Sequence, residues 1–303
     1  MSGARRAVVA ALASVAVVLA ACASTSAGEA DGADGPVVVA TMSVIADFAQ
    51  QVAGDRAEVR TLVPVGGDPH THEPTPADAR AVADADLLLA NGAGLEPWFE
   101  SLVTDDVAVV RLADALHDEV VATPDGEPDP HLWMVPGLAA TYVEVLAEAL
   151  ADADADPDLA DAYRADARAY IQDLRALHEE ITAALDAIPP ERRVLVTPHD
   201  AYAYFADAYD LEVASVVGVS TEEEPSAAAV QRLIDEVRER QIPTVFVEAT
   251  VSRTVIERIA TDAGVEVGRP LYGDSVGEPG SGAETYVDML RANVEALVEG
   301  LAR

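Results

Sequence analysis

Six histidines stand in the chain, and three of them share a setting suited to metal ligation. His70 closes "DPH", His131 lies in "PDPHLW" and His199 in "TPHD", each with proline directly before it. Proline fixes φ at its own position and restricts the residue before it, so each Pro-His step presents an imidazole from a stiff backbone. Imidazole is the commonest side-chain metal ligand, and three such groups from separate loops point to a preorganised site. A lone loop histidine is more often a surface residue, so this reading depends on convergence, which spacing does not prove. His72 adds an ambiguity to "VGGDPHTHEPTPADAR". Residues two apart on an extended chain face the same side, so His70 and His72 could both approach one ion.

The elements around these loops alternate in type. "VVVAT", "AEVRTLVP", "DLLLAN" and "VAVV" read as strands, while "SVIADFAQQVAG" and "TPADARAVADA" read as helices, the second opened by Thr75 with Pro76 in its first turn. Such alternation predicts an α/β lobe with largely parallel strands over residues 36–155. From 156 to 190 the period changes. Leu159, Tyr163, Tyr170, Leu174, Leu177, Ile181, Leu185 and Ile188 form one apolar stripe on a single long helix, with Asp156-Pro157 at its start and Pro189-Pro190 at its stop. About 30 residues at 1.5 Å each is roughly 45 Å, the length of a rigid connector. Residues 191–303 resume the alternation, with strands at "RVLVT", "ASVVGVS" and "PTVFVE" and helices at "SAAAVQRLIDEVRERQ", "SRTVIERIATDAG" and the C-terminal run. The fold class is therefore α/β, two lobes joined by one long helix. His70 and His199 follow strands, at the carboxyl ends where open α/β sheets collect ligands.

The N-terminus reads as an export signal rather than as part of the fold. "MSGARR" is basic, "AVVAALASVAVVLA" is apolar but short for a membrane span, and small residues precede Cys22. Residues 1–21 are expected to be a signal peptide, and 22–35 a polar, acidic tether that cannot bury a core. Cys22 is the only cysteine, so no disulfide framework exists within the chain. "LAAC" resembles the lipobox of bacterial lipoproteins, which implies lipidation of Cys22 and attachment to a membrane surface without a spanning helix. The formal charge of −35, with no lysine, argues against nucleic acid or anionic lipid as a partner of the folded body.

Four blocks then bear on function. "GGDPHTHEPTPADARAVADADLLLANGAGLEPW", "DPHLWMVPGLAATYVEVLAEAL", "VTPHDAYAYFADAYDLEV" and "RPLYGDSVGEPGSGAETYVDMLRANVEAL" resemble, in order, successive blocks of the zinc- and manganese-binding lipoproteins of bacterial ABC importers. These are the cluster A-I solute-binding proteins, or periplasmic zinc-uptake family, and the resemblance covers essentially the whole mature chain. It implies a metal held between two lobes by His70, His131, His199 and Asp274 of "LYGDS", with partners in an ABC permease and its ATPase. It further implies a monomer anchored through lipid on the outer face of the cytoplasmic membrane. The family usually carries an aromatic residue where this chain has His72, which assigns the ligand role to His70 and leaves His72 to packing or the rim.

Three imidazoles and one carboxylate suit Zn²⁺ and leave no evident open position for an activated water, which favours binding over catalysis. Manganese members of the family often have glutamate at the position of His199, which favours zinc here. Against zinc, "HDEVVATPDGEPDP" has only His117 where many zinc members carry a long histidine-rich loop, so Mn²⁺ and Fe²⁺ stay open. Glu248 in "FVEATVS" ends a strand and is a candidate to orient a ligand imidazole. Asp200 is read as an exposed loop acid, His178 as a solvated helix residue, Trp133 as packing beneath the site and Trp98 as packing in the first lobe. Glu222, Glu223 and Glu224 read as a solvated run before a helix. Two other classes remain as alternatives, a surface adhesin with structural metal and a zinc hydrolase. No HExxH pair supports the latter.

Overall fold

The computed structural model describes residues 35–104, 106–123 and 126–303. The signal segment, Cys22 and the tether as far as Asp34 lie outside the described residues. Strands β1 (Val37–Ala40), β2 (Glu58–Thr61), β3 (Leu87–Ala90) and β4 (Ala108–Arg111) form one parallel sheet in the order β2-β1-β3-β4. The two inner strands are runs of Val, Leu and Ala buried on both faces, as a parallel sheet covered by helices requires. Helix α1 (Ser43–Ala53) crosses from β1 to β2, and α2 (Pro76–Ala83) from β2 to β3. Thr75 caps α2, accepting from the backbone of Ala77 and Asp78 while the Asp78 carboxylate accepts from Thr75 N, so the predicted start of this helix is met by a full capping box.

Helix α3 (Pro136–Ala153) follows, then α4 (Ala160–Leu185). The long connector thus starts later than expected. Asp156 accepts from Asp158 N at 3.0 Å and Pro157–Leu159 close a 3-10 turn, which uses up the first three residues of the predicted helix. The 26 residues that remain span about 39 Å. Tyr163, Ala167, Tyr170, Ile171, Leu174, Leu177, Ile181 and Leu185 are its buried face, the stripe read from the sequence with two additions. That face packs on α1, α3 and the C-terminal helix α8 (Tyr286–Leu301). Phe48 of α1 fills the junction, its ring 6.4 Å from Tyr170 and 4.7 Å edge-on to Tyr286. Truncating Leu174 in such a face would cost about 2–5 kcal/mol, because its neighbours relax only partly around the cavity.

The second half of the chain has shorter strands. β5 (Val194–Thr197) pairs in parallel with β6 (Glu212–Ser215), and β7 (Thr244–Val245) with β8 (Glu266–Val267). Phe246 N donates to Val196 O at 2.8 Å and joins the two pairs. Helix α5 (Ala203–Tyr209) links β5 to β6, α6 (Ala227–Glu239) links β6 to β7, and α7 (Thr254–Ala263) links β7 to β8. The strand expected at "ASVVGVS" lies earlier, because the amides of Val216 and Val217 both donate to Pro198 O and bend the chain out of the ladder. The strand expected at "PTVFVE" keeps ladder pairing only at β7, followed by a single bridge from Glu248 to Leu271. Helix α5 carries no clear period in the sequence and ends where Asp210 adopts a left-handed φ of 57°.

The described residues group as one compact unit, and among them no helix is long and apolar enough to cross a membrane. The fold class, parallel sheet flanked by helices, is as the sequence predicts.

Candidate metal centre

Three of the four residues singled out as ligands, His70, His199 and Asp274, follow a strand end or the bridge that extends one. His70 lies beyond β2, His131 in the long connection from β4 to α3, His199 two residues past β5, and Asp274 just past the Leu271 bridge after β8. One ligand atom from each lies within 4.8 Å of those of the other three. Asp274 is the hub. Its Oδ2 is 3.2 Å from His199 Nε2 and 3.8 Å from His70 Nε2, and its Oδ1 is 3.4 Å from His131 Nε2. The imidazole centres stand 5.4–5.7 Å apart. His131 and His199 are fully buried, Asp274 is 1% exposed and His70 4%.

Among the described residues, the three Nε2 atoms and both Asp274 oxygens are buried without a hydrogen-bond partner. Buried polar atoms are almost always paired, so five orphans aimed at one point mark a place where a cation would satisfy them. Three imidazole nitrogens and a carboxylate form a donor set suited to Zn²⁺, and one that also accepts other first-row divalent ions.

The three histidines are held in different ways, His131 and His199 at the far ring nitrogen and His70 through its backbone. Asp129 Oδ1 accepts from His131 N at 3.0 Å and lies 2.8 Å from its Nδ1. Glu248 Oε2 lies 2.6 Å from His199 Nδ1, and Thr197 Oγ1 donates to His199 O at 2.7 Å. Asp68 Oδ1 accepts from His70 N at 2.9 Å, and Trp98 Nε1 donates to Pro69 O at 2.6 Å. Carboxylates behind ligating imidazoles fix the ring and raise its basicity. Trp133 packs where expected, 5.2 Å from the His131 ring, and donates from Nε1 to Gly273 O at 2.9 Å.

Glycine beside Asp274 eases a close approach to Ala201. A Cβ on Gly273 would come within 3.1 Å of Ala201 Cβ and 3.6 Å of Glu248 Oε2. Ser275, on the other side of Asp274, accepts from Gly66 N at 2.8 Å and meets Ser43 Oγ at 3.0 Å, which ties this loop to the approach to His70.

Electrostatics follow from burial and from these pairs. Burial pushes His70 down to about 4 against the pull of Asp274. Burial also opposes the charged form of His131, but the carboxylates of Asp129 and Asp274 beside it outweigh that and hold it up at about 9. His199 is raised well above the ordinary range, Glu248 and Asp274 overcoming the same burial penalty. Asp274 stays ionised, its burial outweighed by the surrounding imidazoles. A metal entering this cluster displaces the protons on its imidazoles, so its affinity rises with pH.

The remaining residues fall elsewhere. His72 is turned to α2, with Nε2 3.2 Å from Asp78 Oδ2 and its ring 4.7 Å edge-on from Trp98, outside the four-residue group. His117 is exposed beside Asp118. Glu222, Glu223 and Glu224 are exposed, as expected. Two expectations need correction. His178 is half-buried, with Nδ1 2.8 Å from the Tyr209 hydroxyl, because α5 packs over that turn of α4. Asp200 is half-buried rather than exposed. Its Oδ1 is shielded from solvent, and burial followed by repulsion from Asp129 raises its pKa. Asp129, Asp68 and Ser275 were not singled out from the sequence. The signal for the first two was present, since "DPH" occurs twice with its aspartate two residues before the histidine.

The comparisons with known proteins bear on the family and the fold. Residues 38–300 match the family described as zinc-uptake complex component A, periplasmic. The chain is 38% identical over 291 residues to the manganese-binding lipoprotein MntA of Halalkalibacterium halodurans, covering 95% of this chain and 96% of that protein. It is 32% identical over 299 residues to the manganese ABC transporter substrate-binding lipoprotein ScaA of Streptococcus gordonii, covering 95% and 96%. Among solved structures it is similar to the periplasmic zinc binding protein TroA from Treponema pallidum. That match has a TM-score of 0.85 and 31% identity, and covers 89% of this chain and all of the other. A manganese-bound periplasmic metal binding protein from Candidatus Liberibacter asiaticus matches with a TM-score of 0.78 at 29% identity, over 88% of this chain and 99% of that one. Members of the family are solute-binding components of ABC transporters rather than enzymes. The chain belongs to the periplasmic zinc-uptake component A family, as a metal-binding substrate-binding protein of an ABC transporter.

Proposed function

We propose that this protein captures Zn²⁺ outside the cytoplasmic membrane, ligating it with His70, His131, His199 and Asp274, and delivers it to an ABC permease driven by its ATPase. The observation that carries the reading is the convergence of three imidazole nitrogens and one carboxylate within 4.8 Å, all buried and otherwise unpartnered among the described residues. A closed tetrahedral set of this kind holds zinc without leaving a position for a reacting water. Glu248 serves as the carboxylate that orients His199, and His72 contributes packing at the rim.

The site draws two ligands from residues before α4 and two from residues after it, so the metal lies between two lobes, 36–155 and 191–303, with α4 as the rigid spacer. The mature protein is a monomer held by lipid on Cys22, followed by its acidic tether. Relatives named as lipoproteins support the anchor. Manganese is the competing cargo. Its support is that relatives at 38% and 32% identity are named as manganese lipoproteins, against which stands the third imidazole, a softer donor than the carboxylates and water that suit Mn²⁺.

The test is competitive loading of the purified protein with zinc, manganese and ferrous iron under anaerobic conditions, followed by metal analysis. One equivalent of zinc retained against an excess of the other two is the expected result. Preferential retention of manganese would replace zinc in this reading, and no stoichiometric metal would remove the reading altogether.

A further inference from the structure

Residues 216–226, between β6 and α6, form an irregular strap whose last five residues are exposed. On one side it is fastened to the loop that carries His199. The amides of Val216 and Val217 donate to Pro198 O, and Asp200 N donates to Gly218 O at 3.0 Å. On the other side it reaches the loop that carries His70 through one side-chain hydrogen bond among the described residues. Thr221 Oγ1 donates to Asp68 Oδ2 at 2.6 Å, across 153 residues of chain. The other oxygen of the same carboxylate accepts from His70 N.

The place of this bond matters. His131, His199 and Asp274 are 0–1% exposed, while His70 is 4% exposed, so His70 is the ligand nearest solvent. Asp68 and Thr221 are both half-buried beside it. If the cation leaves on the side of its most exposed ligand, it passes the two loops that this bond joins. The bond is charge-assisted and short, yet it stands alone between loops that otherwise make no hydrogen bond to each other among the described residues. Removing it would free the strap without touching any ligand.

We propose that Thr221 is a positioning residue: through Asp68 it pins the strap over the His70 side of the cluster and slows release of the bound cation. The inference rests on the metal-binding reading above and adds a kinetic element to it. Breaking a hydrogen bond to a charged partner changes a rate by about tenfold when the bond must open before exit. The effect belongs to release, because affinity differences among variants of one site reside mostly in the off-rate.

The experiment is stopped-flow release of zinc from the loaded full-length protein into excess chelator, for wild type, Thr221→Val, Thr221→Ala and Thr221→Ser. The expected result is release about tenfold faster in Thr221→Val and Thr221→Ala, a rate near wild type in Thr221→Ser, and cooperative unfolding of all four without metal within several degrees of one another. Equal release rates in wild type and Thr221→Val would overturn the proposal, and so would a Thr221→Ser as fast as Thr221→Val, since the hydroxyl would then not be the cause. A wild type that holds no zinc defeats the metal-binding reading itself, an outcome plainly distinct from unchanged kinetics in a protein that binds.

Discussion

His131 and His199 stand 5.4 Å apart, and each has a carboxylate at Nδ1, yet the two carboxylates reach their places by different routes. Asp129 is two residues from His131 and binds its backbone and its ring with the same oxygen, so a single turn of chain orients this ligand. Glu248 is 49 residues from His199 and arrives on another strand, one oxygen at the ring and the other 3.4 Å from the backbone amide. The first arrangement is local and survives small movements of the surrounding sheet. The second exists only once β5 and β7 are packed together. The difference is that His131 is oriented by contacts within one turn of chain, whereas His199 is oriented only after separate strands of the second half have come together.

The hub common to both regions carries the largest expected effect. Asp274→Asn keeps the shape but removes the charge that three imidazoles face, and should weaken zinc binding more than about a hundredfold, measured by competition with a chelator. Next comes the distal carboxylate. In Glu248→Gln an amide oxygen placed at His199 Nδ1 turns the NH2 toward the His199 amide, donor against donor, and affinity should fall close to a hundredfold within the about 10–100-fold range usual for such partners. A loss in Glu248→Gln no larger than in the local counterpart would break the comparison.

A stability measurement separates the framework from the site. Glu96 is buried at the ends of β1 and β3, where it accepts from Thr41 Oγ1 and the amides of Asn91 and Gly92. Asn91 in turn donates to Pro130 O, next to His131. Burial pushes the Glu96 carboxyl up to about 7 despite these bonds. The folded protein therefore carries a proton that the unfolded chain has released above the ordinary glutamate range. Stability from this group is full at low pH and is lost as pH rises through about 7. Between pH 5 and 7.5 the metal-free wild type should lose about 2 kcal/mol relative to Glu96→Gln, whose amide does not titrate. Denaturant unfolding at the two pH values reads this difference, and parallel pH profiles would contradict it.

The smallest effect belongs to the local carboxylate. Asp129→Asn keeps an oxygen for both His131 contacts, so zinc affinity should fall only about tenfold, by the same chelator competition.

The same contrast explains what could be read from the sequence. Short-range features were open to it: the Thr75 cap, the stripe on α4, the alternation of the first sheet, and the stiff Pro-His steps at His70, His131 and His199. Each is written within a few residues of itself. Asp274 came only through resemblance to a family, because nothing near "LYGDS" announces a ligand. Features set by tertiary contact were missed or displaced. "ASVVGVS" has the composition of a strand, but Pro198 O captures two of its amides. His178 has acids beside it in sequence and Tyr209 beside it in space. The Ser43–Ser275 contact joins residues 232 apart and leaves no mark on either stretch.

In the proposed site one cation sits among His70, His131, His199 and Asp274, with His72 apart. The most direct measurement is a crystal structure of the zinc-loaded protein with anomalous data collected on both sides of the zinc edge. A single anomalous peak is expected about 2.0–2.2 Å from one atom of each of the four residues, with His72 still paired to Asp78. A peak that includes His72 in place of His70, or that lies outside this cluster, would contradict it.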